Sequence, residues 1–198
     1  MPVVLVTGSS SGFGKAGALA FARRGDRVYA TVRSQQRGSQ LRVLAEQEQL
    51  DLHTRILDVT QPDTFTPLIE NIVAETGRLD VLVNNAGIIH PGALEDLSEA
   101  AIREVMETNF FGPTLLARAA LPQMRRQGSG YIIMISSLSG LAGLAGDVPY
   151  SASKFALEGL MQVLADEQDG TSSIRVNSLN PGATRTSMRK AAYPGEPP

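Results

Sequence analysis

The chain contains no cysteine and no tryptophan, and aromatic residues make up only 5% of its 198 residues. Without thiols, disulfides, thiolate zinc sites and cysteine nucleophiles are excluded, and a reducing cytoplasm is the expected compartment. Neither sign of charge dominates: 18 lysines and arginines face 20 acidic residues, a formal charge of −2. A nucleic-acid binder normally carries a basic surplus, so no nucleic-acid partner is expected. Long apolar runs are absent too; stretches such as Val3-Val4-Leu5-Val6 have strand length and fall far short of a membrane span. The opening Met1-Pro2-Val3 lacks the charged and long apolar segments of a secretory leader, so neither export nor membrane association is expected. What is there, 42% apolar and 19% charged residues in the length of one domain, is enough for a single folded core.

Short β-rich runs alternate with longer stretches of helical period. Strands are predicted over 3–7, 27–32, 52–57, 80–84, 131–135 and 174–180. Several are apolar nearly throughout, as parallel strands covered on both faces are. Helices are predicted over about 12–24, 38–49, 62–76, 98–127 and 150–168. The first carries Ala16, Leu19 and Ala20 at helical spacing, Arg23 and Arg24 in its last turn and Gly25 beyond, the usual stop signals. This alternation predicts an α/β fold, a doubly wound parallel sheet with helices on both faces. One domain is expected over 1–193, followed by a Pro/Gly-rich tail at 194–198.

Strand one runs into Thr7-Gly8-Ser9-Ser10-Ser11-Gly12-Phe13-Gly14, and a helix follows. Glycines permit a tight turn and a close backbone approach to a ligand, and the free amides of a helix start favour phosphate. A Walker A loop fits poorly. Five residues separate Gly8 from Gly14 where that motif has four, and Ala16 stands where a Ser or Thr would hold magnesium. The turn therefore points to a dinucleotide, against the plain alternative of an ordinary strand-to-helix turn.

That turn, followed in order by Asn84-Asn85-Ala86-Gly87, Asn109, Ser137, Tyr150 and Lys154, resembles the short-chain dehydrogenase/reductase family over residues 3 to about 188. The segments VYATVR and YSASKFALEGL are closer still to hydroxysteroid dehydrogenase and carbonyl reductase-like members, whereas 174–196 looks more like bacterial oxidoreductases of the family. The resemblance implies a Rossmann-type domain that reduces carbonyls or oxidises alcohols with a nicotinamide cofactor. It implies cofactor contacts from Gly8, Ser10, Ser11, Gly12, Phe13 and Gly14, from Asp58 and Val59 after strand three, and from Asn85, Ala86 and Gly87. Pro181, Gly182 and Thr186 in the loop after strand six complete that set, with Tyr150 and Lys154 at the nicotinamide end.

An NAD enzyme of this fold usually places a carboxylate at the end of strand two, on the ribose 2′-hydroxyl. Val32 stands there instead, and Arg33 follows. A guanidinium can pair with a 2′-phosphate, and Ser11 offers a hydroxyl on the same side. NADP(H) is therefore the expected cofactor and NAD(H) the alternative; Arg33 as a merely solvated strand-end charge is the bland reading.

Tyr150 and Lys154 are four apart at a predicted helix start, so both side chains project from one face. A tyrosine near pKa 10 is a poor proton exchanger at neutral pH. A neighbouring ammonium favours phenolate, so Lys154 is expected to lower the pKa of Tyr150 and suit it to give or take a proton. The resemblance gives Lys154 a second role on the nicotinamide ribose. It also makes Ser137 the residue that hydrogen-bonds the substrate oxygen, with Ser136 beside it as the competing choice. Asn109 lies four residues before Pro113, which has no N–H to offer its carbonyl. In the family that carbonyl binds a water of the proton relay; a simple kink, or a split into two helices at Gly112-Pro113, is the alternative. His53 and His90 have no carboxylate at ligand spacing in the sequence, and no metal site is expected.

The family normally continues with a substrate-covering segment and a seventh strand. Against that pattern strand six is expected to form a sheet edge whose Ile174, Val176 and Leu179 seek cover, by a missing segment or a partner chain. The expected partners are a small-molecule carbonyl or alcohol substrate, with a hydrophobic ketone or steroid-like alcohol ahead of an acyl-carrier thioester. A second copy of the chain is also expected, as a homodimer or homotetramer pairing through the helices that carry Asn109 and Tyr150. The rival functions are a catalytically impaired nucleotide-binding sensor or scaffold, and a structural subunit of a larger oxidoreductase.

Overall fold

The described residues of the computed structural model are 1–170, 172–192 and 195. Six strands, β1 (Val3–Val6), β2 (Arg27–Val32), β3 (Leu52–Ile56), β4 (Val81–Asn84), β5 (Ser129–Ile135) and β6 (Ser173–Leu179), form one parallel sheet. Their order is β3-β2-β1-β4-β5-β6. This is the doubly wound Rossmann-type order, in which the winding reverses between β1 and β4 and leaves a crevice beyond their carboxyl ends. Val4 stands beside Val28 on one side and Val81 on the other, which fixes the register at that switch point.

Alternation along each strand sorts the apolar residues into two cores. Helices α1 (Gly12–Arg23) and α2 (Ser39–Gln47) bury Ala18, Leu19, Ala22 and Leu41 against Val4, Val6, Val28 and Val83. On the opposite face lie α3 (Phe65–Thr76), α5 (Gly112–Arg126) and α6 (Val148–Gln168). Their Phe65, Ile72, Leu116, Met124 and Leu157 pack on Leu5, Leu82, Ile132 and Met134. Full burial of such side chains stabilises the fold by about 1.5–3 kcal/mol each, which holds the strand ends still for the site above them.

The edge strand is only partly uncovered. Ile174 and Val176 are 1% and 8% exposed beneath the helical layer, while Leu179 is 52% exposed on the other face. Of the three apolar residues expected to seek cover, Leu179 alone lacks it among the described residues.

Several boundaries differ from expectation, among them the start of α3, which is Phe65 because Pro62–Thr64 form a tighter 3-10 turn ahead of it. Strand β5 starts two residues earlier, at Ser129, and α6 starts at Val148 because Pro149 suits a helix's first turn. The stretch 98–127 neither breaks nor runs as one regular helix. Helix α4 (Glu99–Met106) passes through a π turn (Glu107–Phe111) straight into α5. The Gly112 N–H reaches the Glu107 carbonyl, five residues back. Pro113 has no N–H for the four-residue bond to Asn109, and the wider turn accommodates that loss. A short α7 (Ser187–Ala192) was not expected. The tail at 194–198 lies, apart from Gly195, outside the described residues.

Candidate active site

A cleft of about 790 Å³ opens over the carboxyl ends of the strands, at the switch point between β1 and β4. Thr7, at the end of β1, is buried beside it. The Thr7 hydroxyl accepts the N–H groups of Asn85 (2.9 Å) and Ala86 (3.0 Å), and Asn85 Nδ2 donates to the carbonyls of Thr7 (2.8 Å) and Gly8 (3.1 Å). The Asn85-Ala86-Gly87 turn is thereby pinned to the glycine turn. Gly8, Ser10, Ser11, Gly12 and Phe13 line the cleft together with Asn85, Ala86 and Gly87. Gly14 does not line it. A Cβ at Gly14 would stand 2.4 Å from both the Gly8 carbonyl oxygen and Asn85 Nδ2, so only glycine lets the helix start this close. Ser11 caps α1 with its backbone alone, leaving the first-turn amides uncapped by its side chain and directed toward the cleft.

At one end of the cleft lie Arg33, Asp58 and Val59. The Thr60 N–H (3.0 Å) and hydroxyl (2.8 Å) both donate to Asp58 Oδ1. These bonds, the backbone one foremost, hold the Asp58 carboxyl below its usual pKa, and the nearby Arg33 adds to the effect. Arg37 shares this wall and was missed in the sequence. It lies in the short turn between β2 and α2, where no periodicity marks it. Among the described residues neither arginine makes a salt bridge, whereas Arg23, Arg27, Arg55, Arg78 and Arg103 each pair with a carboxylate.

At the other end Ser137, Tyr150 and Lys154 converge. Tyr150 and Lys154 occupy the first turns of α6, and the ammonium lies 5.6 Å from the phenol ring centre. Lys154 is 5% exposed, and its Nζ donates to the Ile135 carbonyl at 2.8 Å. Burial lowers its pKa to about 8, against the opposing field of Glu158. Burial also raises the pKa of Tyr150; the Ser137 hydrogen bond works the other way, and the charge of Asp147 adds to the rise. The expected lowering of Tyr150 by Lys154 is thus corrected: burial is the leading influence on the phenol, and Lys154 is not among the groups that shift it. Of the two serines, Ser137 is the one that acts on the Tyr150 phenol, and its hydroxyl accepts the Ser139 N–H at 3.2 Å. Ser136 is 3% exposed, and its hydroxyl has no hydrogen-bond partner among the described residues.

Asn109 is 1% exposed and does not line the cleft. Its side chain clasps the loop after β4: Nδ2 donates to the Ile88 carbonyl (2.9 Å), and Oδ1 accepts the Ile88 N–H (2.8 Å). Nδ2 also donates to Ser153 Oγ (3.2 Å), which in turn donates to the Tyr150 carbonyl (2.7 Å). Pro113 bears only on the carbonyl of Asn109, and no local spacing marks this clasp, whose partners are distant in sequence. Pro181, Gly182 and Thr186 do line the cleft; a Cβ on Gly12 would stand 3.8 Å from Thr186 Cγ2, so this loop meets the glycine turn. The histidines do have acidic neighbours, His53 with Asp51 at 2.7 Å and His90 with Glu104 at 2.8 Å. Among the described residues no three His, Asp or Glu gather as metal ligands.

The family profile described as short chain dehydrogenase matches residues 2–197, and the chain belongs to that family of oxidoreductases. It is similar to the 3-ketodihydrosphingosine reductase of Bacteroides thetaiotaomicron, 41% identical over 166 residues that make up 83% of this chain and 58% of that protein. The chain therefore spans little more than half the length of that relative. It is 37% identical over 187 residues to the 3-alpha-(or 20-beta)-hydroxysteroid dehydrogenase of Mycobacterium tuberculosis, covering 94% of this chain and 70% of the relative. The structure of a short chain dehydrogenase from Escherichia coli CFT073 complexed with NADPH matches with a TM-score of 0.92 at 34% identity. That match covers 100% of this chain and 83% of the other. Members of the family use NAD(P)(H), and the residues present fit such a group. The Gly8–Gly14 cradle is one that a single Cβ would fill, the start of α1 offers amides to phosphate, and the cleft runs from Arg33 to Tyr150. No helix among the described residues is long and apolar enough to cross a membrane.

Proposed function

We propose that this chain transfers hydride between NADP(H) and a carbonyl or secondary-alcohol substrate, with Tyr150 as general acid/base. The observation that carries this function is the convergence of Ser137, Tyr150 and Lys154 in the same cleft as the glycine turn. A nicotinamide bound there supplies or accepts the hydride. Ser137 donates a hydrogen bond to the substrate oxygen. Tyr150 delivers its proton to that oxygen in reduction and takes it back in oxidation. Burial keeps Tyr150 in its phenol form at neutral pH, the form reduction needs. Lys154 holds an ammonium beside the phenol and is placed to bond the cofactor ribose. Gly8, Ser10, Ser11, Gly12, Phe13 and Gly14 form the phosphate end, Asp58 and Val59 the adenine end, and Asn85, Ala86, Gly87, Pro181, Gly182 and Thr186 the remaining walls. Asn109 acts by clasping the wall to α6.

The preference for the phosphorylated cofactor rests on Arg33 and Arg37, which make no salt bridge among the described residues, beside a strand end that carries Val32 in place of an acid. NAD(H) is the alternative. The substrate class proposed is a small carbonyl or alcohol, the compartment the cytoplasm, the functional unit residues 1–193, and the assembly a homodimer or homotetramer.

The test mixes the purified chain with NADPH or NADH and a panel of ketones, diketones, quinones and steroids, following reduced-nicotinamide absorbance. NADPH consumption that disappears in Tyr150→Phe is expected, and Arg33→Ala should weaken NADPH binding while leaving NADH binding nearly unchanged. NADPH binding without turnover on any substrate would overturn the proposal in favour of a nucleotide-binding sensor.

A further inference from the structure

One turn beyond Lys154 on α6 stands a charged group that the chemistry above does not use, Glu158. Glu158 follows Lys154 by four residues on α6, so Tyr150, Lys154 and Glu158 succeed one another a turn apart along one stripe of the helix. The Glu158 carboxylate is anchored: Ser178 Oγ, on β6, donates to its Oε2 at 3.0 Å. Gly140 packs closely against this part of α6. A Cβ there would stand 3.0 Å from the Lys154 carbonyl oxygen, 3.1 Å from Ser136 Oγ and 3.2 Å from Glu158 Cγ, so that turn presents no side chain between them. Lys154 is 5% exposed, and the hydrogen bond its ammonium makes is to a neutral group, the Ile135 carbonyl. A buried ammonium is unfavourable unless an opposite charge stands near it.

The other charged and titratable groups around this turn are placed differently. Tyr150 presents its ring, 5.6 Å from Nζ. Asp147, just before α6, acts on Tyr150. Glu104 of α4 is engaged with His90 at 2.8 Å. Arg175 of β6 is three residues from Ser178 and therefore faces the other side of the sheet. On β5 the neighbour is the uncharged Ile135 carbonyl.

Resting on the proposed role of Lys154, we infer that Glu158 is a positioning residue that, held by Ser178, keeps Lys154 in its ammonium form at the site. Its field is the one that raises the proton affinity of Lys154 against burial. Glu158 does not line the cleft, so its carboxylate acts through the lysine.

The chain has three lysines, Lys15, Lys154 and Lys190, so ¹³Cε-lysine spectra of the full chain report Lys154 directly once Lys15→Arg and Lys190→Arg assign the other two. In Glu158→Gln the Lys154 titration midpoint should fall by about half a unit to one unit, the scale of one charge acting across a protein interior. Glu158→Asp should recover part of the fall, and Ser178→Ala, which frees the carboxylate without removing it, should give a smaller one. An unchanged midpoint in Glu158→Gln overturns the inference. If that variant does not fold, Ser178→Ala decides, and an unchanged midpoint there overturns it as well. The titration needs no substrate, so failure of the hydride-transfer proposal would leave its result intact. Where turnover is measured, the alkaline limb of kcat should move down by the same interval with little change in KM. A raised KM with an unmoved limb would mark a merely structural role.

Discussion

Replacing Lys154 with methionine should stabilise the folded chain at neutral pH while removing its activity. Burial brings the lysine from its ordinary 10.5 to about 8, an interval that converts to about 3 kcal/mol. Below pH 8 the folded and unfolded chains both carry the proton, and folding bears the whole cost of burying the ammonium. Between pH 8 and 10.5 the unfolded chain keeps a proton that the folded chain has released, so stability rises with pH there. Above that window both forms are neutral and the cost is gone. Methionine fills nearly the same volume without charge. It also removes the donor to the Ile135 carbonyl, a loss of about 1 kcal/mol. The variant should therefore exceed the parent by about 2 kcal/mol at pH 7, and the advantage should vanish or reverse slightly by pH 10.5. Urea unfolding followed by far-ultraviolet circular dichroism at several pH values between 6 and 10.5 reads this directly. A variant less stable than the parent at pH 7, or a difference that does not change with pH, would refute the account of Lys154 as a buried, strained charge.

Two further substitutions test the scaffold. Gly14→Ala forces a methyl against the Gly8 carbonyl and Asn85 Nδ2 at 2.4 Å; about 2–3 kcal/mol of stability should be lost, and NADPH binding, read by fluorescence titration, should fail. Asn109→Ala removes both partners of the Ile88 backbone. That should cost about 3 kcal/mol, a melting point lower by roughly 6–12 °C, and retained stability would contradict the clasp.

Much of the fold was legible because its determinants are local. The strand cores are β-branched, apolar and short, and period two along β1 sends Val3 and Leu5 to one core and Val4 and Val6 to the other. The residues that line the cleft were legible where they travel as motifs, from the glycine turn to Tyr150 and Lys154. What escaped is non-local or too short to have a period. Helix α7 is six residues long and offers less than two turns of pattern. The π turn follows from one missing N–H inside an otherwise regular helix. Asn109 reaches Ile88, 21 positions away, and Ser153, 44 positions away, and no spacing rule connects them.

The same distinction explains why proximity was read correctly and its electrostatic sign was not. Helical spacing makes Tyr150 and Lys154 neighbours, which by itself would pull the phenol down and the ammonium up. Depth below the surface is a tertiary quantity, and here it reverses both shifts: Tyr150 rises, and Lys154 falls to about 8. As pH increases, the lysine therefore loses its proton before the tyrosine does. At neutral pH the phenol thus keeps its proton, which is the form the proposed reduction requires. The group most able to change that balance is the one that sets the lysine's charge, and in this chain the anchored carboxylate of Glu158 stands one turn away to do so.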